Sequence, residues 1–400
     1  MSAARPAAAE KYPVDLCYMV ADLKYNARQG VKICEIQQAS LSMFNGDRFR
    51  APEEASIHAE LLRALSLYHK TGWVVSDGMA DKKLVATLAG SKTWHNPSDL
   101  IALFSDPQFK ERSKRQPSDI HDIASYAGIL YTSWSQLSAI YDFEDRLPGM
   151  AIMDKSSFPL WIDKQRMTQL FQQDARLSTF KPKWGSYKKR YSKNLAATIA
   201  ADLQCQTFVI KPRGNFMGRG VIIAPFEELD KILRFIITKK GALAERTDSA
   251  YTAWKNDAHD SFVIEEFIAS DPIRLPHMDN KTYQPTMRAA FLLAYNKGRH
   301  SVHFLGEYWK TPHLSLDEPG DFMEKNKDIC EPPYYLAVNE ATKQIVRNNL
   351  RTALPILHHK MLQFKPSSKE SFYAPVPDGG IKLTIQAAPM MSDTQVASHA

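Results

Sequence analysis

The residues best placed to do chemistry lie in FVIKPRGNFMGRGVII, positions 208–223. An apolar run ends in Lys211-Pro212, a loop carries Gly214, Gly218 and Gly220, and a second apolar run leaves. Glycines let a backbone come close to a ligand with its N–H groups aimed at oxygens, and a lysine adds positive charge, so such a hairpin tip suits a polyphosphate. It is not a Walker loop, because the GKS/T ending is missing and a strand follows where a helix should begin. The plain alternative is an ordinary hairpin with a mobile tip. Three further segments bear on the choice. In FVIEEFI, 262–268, Glu265 and Glu266 end an apolar strand. An unpaired buried carboxylate is costly, and a strand that offers groups to an adenosine would give these acids partners. In FPLWIDKQRMTQLF, 158–171, Lys164 opens a helix, and in TMRAAFLLAY, 286–295, Arg288 opens an apolar strand. A planar guanidinium there can stabilise charge on a transferring phosphoryl group.

These side chains need elements to hold them. Alternation predicts two strands at 14–23 and 31–37, joined by the turn NARQG at 26–30. A helix is expected over 52–71, with Pro52, Glu53 and Glu54 in its first turn and Gly72 as its end. Residues 73–150 read as a mixture of short apolar strands and helical stretches such as DIHDIASYAGILYTSWSQLSAIY, closed by LPG at 147–149. Beyond the glycine-rich unit come a helix, FEELDKILRFIIT, strands at 287–295 and 301–309, a helix at 338–353 and a last strand, IKLTIQ. Interleaved strands and helices indicate a mixed α/β class.

In this order and spacing the segments resemble the ATP-grasp superfamily. The resemblance covers about 158–310. It implies an α/β (α+β) fold in which two lobes clamp ATP between antiparallel sheets, with an additional α/β substrate lobe. Carried over one by one, Lys164 and Lys211 would contact ATP phosphates, and Gly218 and Gly220 would belong to the phosphate lid. Glu265 or Glu266 would hold the adenosine, Phe267 and Ile268 would lie on the hinge, and Arg288 and Lys211 would serve catalysis at the γ-phosphate. The expected division is 1–50 as a hairpin of the large lobe, 51–150 as the substrate lobe and 151–180 as a connecting helical region. The small lobe with its lid would be 181–267, and 268–400 the large lobe.

Members of the superfamily end with carboxylate and asparagine ligands for magnesium, whereas Thr384 and Gln386 stand in those places in IKLTIQAAP. The N-terminal segment offers a replacement. A hairpin closed symmetrically at 28–29 sets Asp22 opposite Glu35 and Val20 opposite Gln37, with Asp22, Glu35 and Gln37 on one face and Met19, Ala21, Leu23, Cys34 and Ile36 on the other. Facing acids repel unless a positive group lies between them, so a hard cation is a natural occupant. The same stretch resembles the metal strand of eukaryotic-type glutathione synthetases and glutathionylspermidine synthases, in which the ATP-grasp elements are circularly permuted. Glu35, Ile36, Ser40 and Ser42 match that pattern, while Gln37 stands for asparagine and Asn215 stands where an acid is usual.

Composition supports a soluble enzyme: 44% hydrophobic, 24% charged, net charge +7, and no apolar run near the roughly 20 residues a spanning helix requires. That charge is too modest to indicate nucleic acid. The opening MSAARPAAAEKYP reads as a tail rather than a signal peptide, and Cys17, Cys34, Cys205 and Cys330 are too scattered for a disulfide framework, so a cytoplasmic location is expected. The basic strip at 181–193 is either a solvated loop or a docking strip for phosphate or an acidic substrate. His358-His359 reads as helix surface, and Lys310 either approaches the phosphates or merely ends a strand. The expected activity is a Mg2+-dependent, ATP-driven ligation of a carboxylate to an amine through an acylphosphate. The alternatives are a kinase, or a nucleotide-binding or partner-binding module without turnover. The expected partners are ATP and small-molecule or peptide carboxylate and amine substrates, with a homodimer left open.

Overall fold

The sequence VDLCYMVADLKYN has apolar side chains at both odd and even positions, which a strand can bury only if both its faces are covered. In the computed structural model, which describes residues 14–39, 44–75, 82–95, 127–132, 150–161, 163–214, 218–329 and 331–364, that is its situation. The strands in chain order are β1 Val14–Asn26, β2 Gly30–Gln38, β3 Gly72–Val75, β4 Trp94–His95, β5 Gly128–Thr132 and β6 Met150–Ile152. Next come β7 Trp184–Lys188, β8 Thr207–Pro212, β9 Ile222–Pro225, β10 Ser261–Glu266, β11 Ile273–Leu275 and β12 Lys281–Tyr283. The last are β13 Thr286–Asn296, β14 Arg299–Lys310 and β15 Tyr335–Ala337. Four helices matter most: α1 Ile57–Leu65, α2 Lys164–Gln172, α3 Phe226–Thr238 and α4 Glu340–Gln363.

β1 lies inside an antiparallel five-stranded sheet of order β15-β14-β13-β1-β2. Its odd positions Cys17, Met19, Ala21 and Leu23 pack with Met167, Leu170 and Phe171 of α2 and with Leu350, Leu354 and Leu357 of α4. Its even positions Leu16, Tyr18 and Val20 pack with Ile57, Leu61 and Leu65 of α1 and with Val74, Ile129 and Tyr131 of a parallel sheet of order β4-β3-β5-β6. The large sheet is therefore a middle layer. Each large apolar side chain removed from water contributes about 1.5–3 kcal/mol, so β1 is an anchor of the whole unit. A second antiparallel sheet, of order β7-β10-β8-β9, has its own core, in which Phe208, Ile210, Phe262 and Ile264 meet Leu229, Ile232, Leu233 and Ile236 of α3.

Several elements differ from expectation. The helix expected over 52–71 is shorter, Ile57–Leu65, because Ser56 caps it by accepting from the Ala59 N–H. Gly72 opens β3 instead of closing that helix. Within 119–141, expected to be helical, Gly128–Thr132 is a buried strand between β3 and β6. A strand covered on both faces loses its alternation, so GILYT looks like part of a buried helix. The C-terminal helix starts at Glu340, capped by Asn339, and runs through Pro355 to Gln363, because its buried positions continue through Leu357, His358 and Met361. His358 is fully buried, contrary to its reading as helix surface. Ser40, Ser42, Asn215, IKLTIQ with Thr384 and Gln386, and most of 73–150 lie outside the described residues.

Candidate functional site

The hairpin β1–β2 closes through a three-residue turn, with Asn26 paired to Gly30, not through the symmetric turn expected at 28–29. A bulge at Cys34 then adds one residue to β2, which restores the expected pairing of Asp22 with Glu35 and of Val20 with Gln37. The bulge also turns the Cys34 carbonyl away from the ladder. That oxygen accepts from Lys181 Nζ at 2.8 Å and from Lys211 Nζ at 3.0 Å.

Lys211 is the next-to-last residue of β8, where β10 pairs alongside and sets Val263 opposite it. Its ammonium reaches Glu265 Oε2 at 2.6 Å, and Lys181 reaches Glu265 Oε1 at 2.7 Å. All three side chains are less than a tenth exposed. Burial disfavours the charged carboxylate, but the two lysines outweigh it and hold the Glu265 pKa below its ordinary value. The lysines part company. Burial pulls Lys181 below its usual range despite Glu265, whereas for Lys211 the same burial is outweighed by the charges of Glu265 and Glu35, which raise it.

α2 brings in Lys164. Asp163 caps the helix by accepting from the Gln165 and Arg166 N–H groups and pairs with Arg213. The Lys164 N–H donates to the Arg213 carbonyl at 3.0 Å, which ties the helix start to the Lys-Pro strand end. The Lys164 ammonium sits 3.1 Å from Glu35. Glu35, Lys164, Thr168, Lys181, Lys211 and Glu265 line one cavity of about 20 Å³. That is room for roughly one water molecule, and far too little for a nucleotide.

A second cluster adjoins it on β1. Asp22 lies between its two strand neighbours, opposite Glu35 and opposite Arg288. Arg288 grips it with two bonds, Nε at 2.9 Å and Nη2 at 2.8 Å, and Lys310 Nζ adds a third at 2.9 Å. Lys310 also pairs with Asp328 at 2.5 Å. Burial alone would raise the Asp22 pKa, but Arg288 and Lys310 push it far below the usual carboxylate range. The positive charge that the facing acids demand thus comes from side chains: Arg288 and Lys310 for Asp22, Lys164 for Glu35. Gln37 is buried on the same strand as Glu35. Among the described residues, Asp22 and Glu35 do not converge with a third acidic, histidine or cysteine ligand. Their oxygens, with the Gln37 carbonyl, are donors of the hard type that magnesium takes, so the chemistry of the set fits that ion, while Arg288, Lys310 and Lys164 engage the two carboxylates here.

The remaining candidates divide. Glu266 faces away from Glu265 and bonds the Lys183 backbone N–H at 2.8 Å. The Phe267 N–H donates to the Thr207 carbonyl, its ring meets Phe322 edge-on at 5.4 Å, and Ile268 is buried. Gly218 and Gly220 have φ of +69° and +77°. The Gly220 N–H donates to the Ser249 carbonyl and its own carbonyl accepts from Trp254 Nε1, so this residue anchors the loop end. In the basic strip, Lys181 is buried in the site while Trp184–Lys188 form β7. Sequence reasoning singled out neither Lys181 nor Asp328. The signal for Lys181 was its place in TFKPKW just ahead of a strand that pairs with β10.

No family model matches the chain, and no curated protein does. Among solved structures it is similar to a glutathione synthetase-like effector from Globodera pallida in its apo form, at 13% identity and a TM-score of 0.39, covering 75% of this chain and 74% of that one. It is also similar to D-cycloserine synthetase DcsG, at 12% identity and a TM-score of 0.34, covering 72% and 82%. Both likenesses are too weak to bear on function.

Proposed function

We propose that this chain is an ATP-grasp enzyme that joins a carboxylate to an amine at the expense of ATP. The observation that carries the reading is the convergence of Lys164, Lys181 and Lys211, from a helix, a connecting segment and a strand, on one seam between two antiparallel sheets. Arg288 and Lys310 extend that seam along β1. Among the described residues Lys24 lies there as well, and this concentration of basic side chains suits a polyphosphate. On nucleotide entry the phosphates replace Glu265 and Asp22 as partners of the lysines and of Arg288, and the cavity opens. Asp22, Glu35 and Gln37 would then hold magnesium, which supplies neutralisation of phosphate charge.

The chemistry follows from the same positions. A substrate carboxylate oxygen attacks the γ-phosphorus, the bond to the β,γ-bridging oxygen breaks, and ADP leaves. Lys164, Lys211 and Arg288 stabilise the charge that spreads over the phosphoryl oxygens. The amine nitrogen then attacks the acyl carbon, the C–O bond to phosphate breaks, and the amine proton leaves with phosphate. Exclusion of water would protect the acylphosphate from hydrolysis, and we assign that role to the glycine-rich loop.

Purified protein should gain about 2.7 kcal/mol of stability at a hundredfold excess of Mg-ATP over its dissociation constant. ADP release should require both acceptors, and hydroxylamine should trap a hydroxamate. A persisting phosphorylated product without amide would indicate a kinase instead. Gln37 in the place of the usual asparagine, and Thr384 and Gln386 in the places of the usual ligands, favour a second reading, a nucleotide-binding module without turnover. Binding of ATP with no ADP release from any pool of acceptors would select it.

A further inference from the structure

At the opposite end of β1 a separate cluster forms. The period of two puts Asp15 and Cys17 on the face covered by α4, and the buried stripe of α4 delivers His358 to the same spot. All three are at most 4% exposed, and their ligand atoms lie within 4.8 Å of one another. His358 Nε2 is 2.8 Å from Asp15 Oδ1, and Cys17 Sγ is 3.4 Å from the same oxygen. The Ser156 hydroxyl completes the ring, 2.8 Å from Asp15 Oδ1 and 3.1 Å from Cys17 Sγ.

We propose that Asp15, Cys17 and His358 bind a borderline-soft divalent ion of the zinc class, with the Ser156 oxygen or a water in the fourth position. Zinc bonds to sulfur at about 2.3 Å and to nitrogen or oxygen at about 2.0–2.2 Å, so tetrahedral ligand atoms stand roughly 3.3–3.8 Å apart. The spacings to Asp15 Oδ1, 2.8 Å from His358 and 3.4 Å from Cys17, need only a small outward adjustment to admit the ion, and no two ligand atoms lie more than 4.8 Å apart. A thiolate and an imidazole select against magnesium, which separates this site from the hard oxygens of the nucleotide seam. The outer contacts fit too. A metal-bound histidine hands its second ring N–H to a partner, and His358 Nδ1 lies 3.3 Å from His300 Nδ1. His300 in turn packs against the exposed ring of His359 at 5.7 Å, so imidazoles lead from the surface to the cluster. The ion would join β1 to the C-terminal helix, releasing the Cys17 proton on binding.

The test uses the full chain, stripped with chelator and titrated with Co2+. One equivalent should produce a thiolate-to-cobalt charge-transfer band, and Zn2+ should abolish it by displacement. Cys17→Ser should lose the band, while Cys34→Ser and Cys205→Ser keep it. His300→Gln, a positioning change, should retain the band with affinity reduced about 10- to 100-fold. Zinc should raise the melting temperature of the stripped wild type. A wild-type spectrum without the band overturns the proposal, and it needs no variant to fold. A band that survives Cys17→Ser, or one lost in Cys34→Ser, overturns it equally, leaving a hydrogen-bonded core cluster.

Discussion

The two ends of β1 carry two buried aspartates that are satisfied in opposite ways. Asp22 faces Arg288 and Lys310, with Lys164, Lys181 and Lys211 gathered beyond it on the same seam. Asp15 faces His358, Ser156 and Cys17 in a closed ring of hydrogen bonds. The first arrangement concentrates cations, the setting in which the proposed nucleotide would find its phosphate partners. The second offers a carboxylate, a thiol and an imidazole, a donor set that suits a metal cation instead. Burial alone therefore does not mark a ligand site; the chemistry of the buried groups decides which ligand, if any, they suit.

The sharpest way to break this contrast is to remove one negative charge from each region. Glu265→Gln leaves Lys181 and Lys211 buried without their shared carboxylate, and breaking a buried pair in this way costs about 3–5 kcal/mol. Denaturant unfolding should show that loss, and Mg-ATP should recover more stability in the variant than in the wild type, because phosphate takes the place of the carboxylate. If ATP restores nothing, the seam is a structural ion-pair network.

Asp154, beside the closed ring, should respond with the opposite sign. Burial pushes its pKa up to about 8, even though it accepts from the Tyr18 N–H at 2.6 Å and from Gln38 Nε2 at 2.8 Å. A carboxyl held protonated in the fold and ionised in the unfolded chain contributes fully only below its unfolded pKa, near 4. That contribution is lost as pH rises towards 8. Asp154→Asn should abolish this decline and stabilise the protein by at most about 4 kcal/mol at pH 7. Asparagine tolerates the φ of +63° at this position, and its amide can donate to Gln38 Oε1, which has no hydrogen-bond partner among the described residues. Unfolding free energies measured between pH 5 and 9 check the slope.

The smallest effects separate anchor from tip within the loop. Among the described residues a Cβ on Gly218 meets only Lys327 Cε, at 3.8 Å, so Gly218→Ala should cost about 1–2 kcal/mol, from backbone strain. On Gly220 it would meet Pro212 Cγ at 2.7 Å, and Gly220→Ala should cost more. Equal melting temperatures for the two variants would contradict the assignment of Gly220 as the anchor.

How much of this was legible in the sequence follows from the range of each interaction. The facing of Asp22 and Glu35 depends on a short hairpin, so alternation found it, though the Cys34 bulge that sets the register leaves no compositional trace. The start of α2 at Lys164 was legible because its cap is the preceding residue. Lys181 sits among solvated basic residues, and only its contact with Glu265, on a strand far along the chain, distinguishes it. His358 was misread for the same reason: its partner Asp15 is 343 positions away. Local patterns encode caps, turns and strand faces, but charge pairing across the fold is decided by topology.

That topology has a cost in time. β1 leaves the ribosome long before β13, its neighbour on one side, since Asp22 and Arg288 are 266 positions apart. At roughly 5–20 residues per second, the first strand waits between about a quarter of a minute and a minute for that partner. It can pair early with β2, but the hairpin then presents an apolar edge and two uncovered faces to the cell. Long-range pairing of this kind also slows folding once synthesis is complete. Newly made chains are thus most vulnerable to aggregation in the interval before β13 arrives, and a holding chaperone that binds extended apolar segments would find its best target at 14–26.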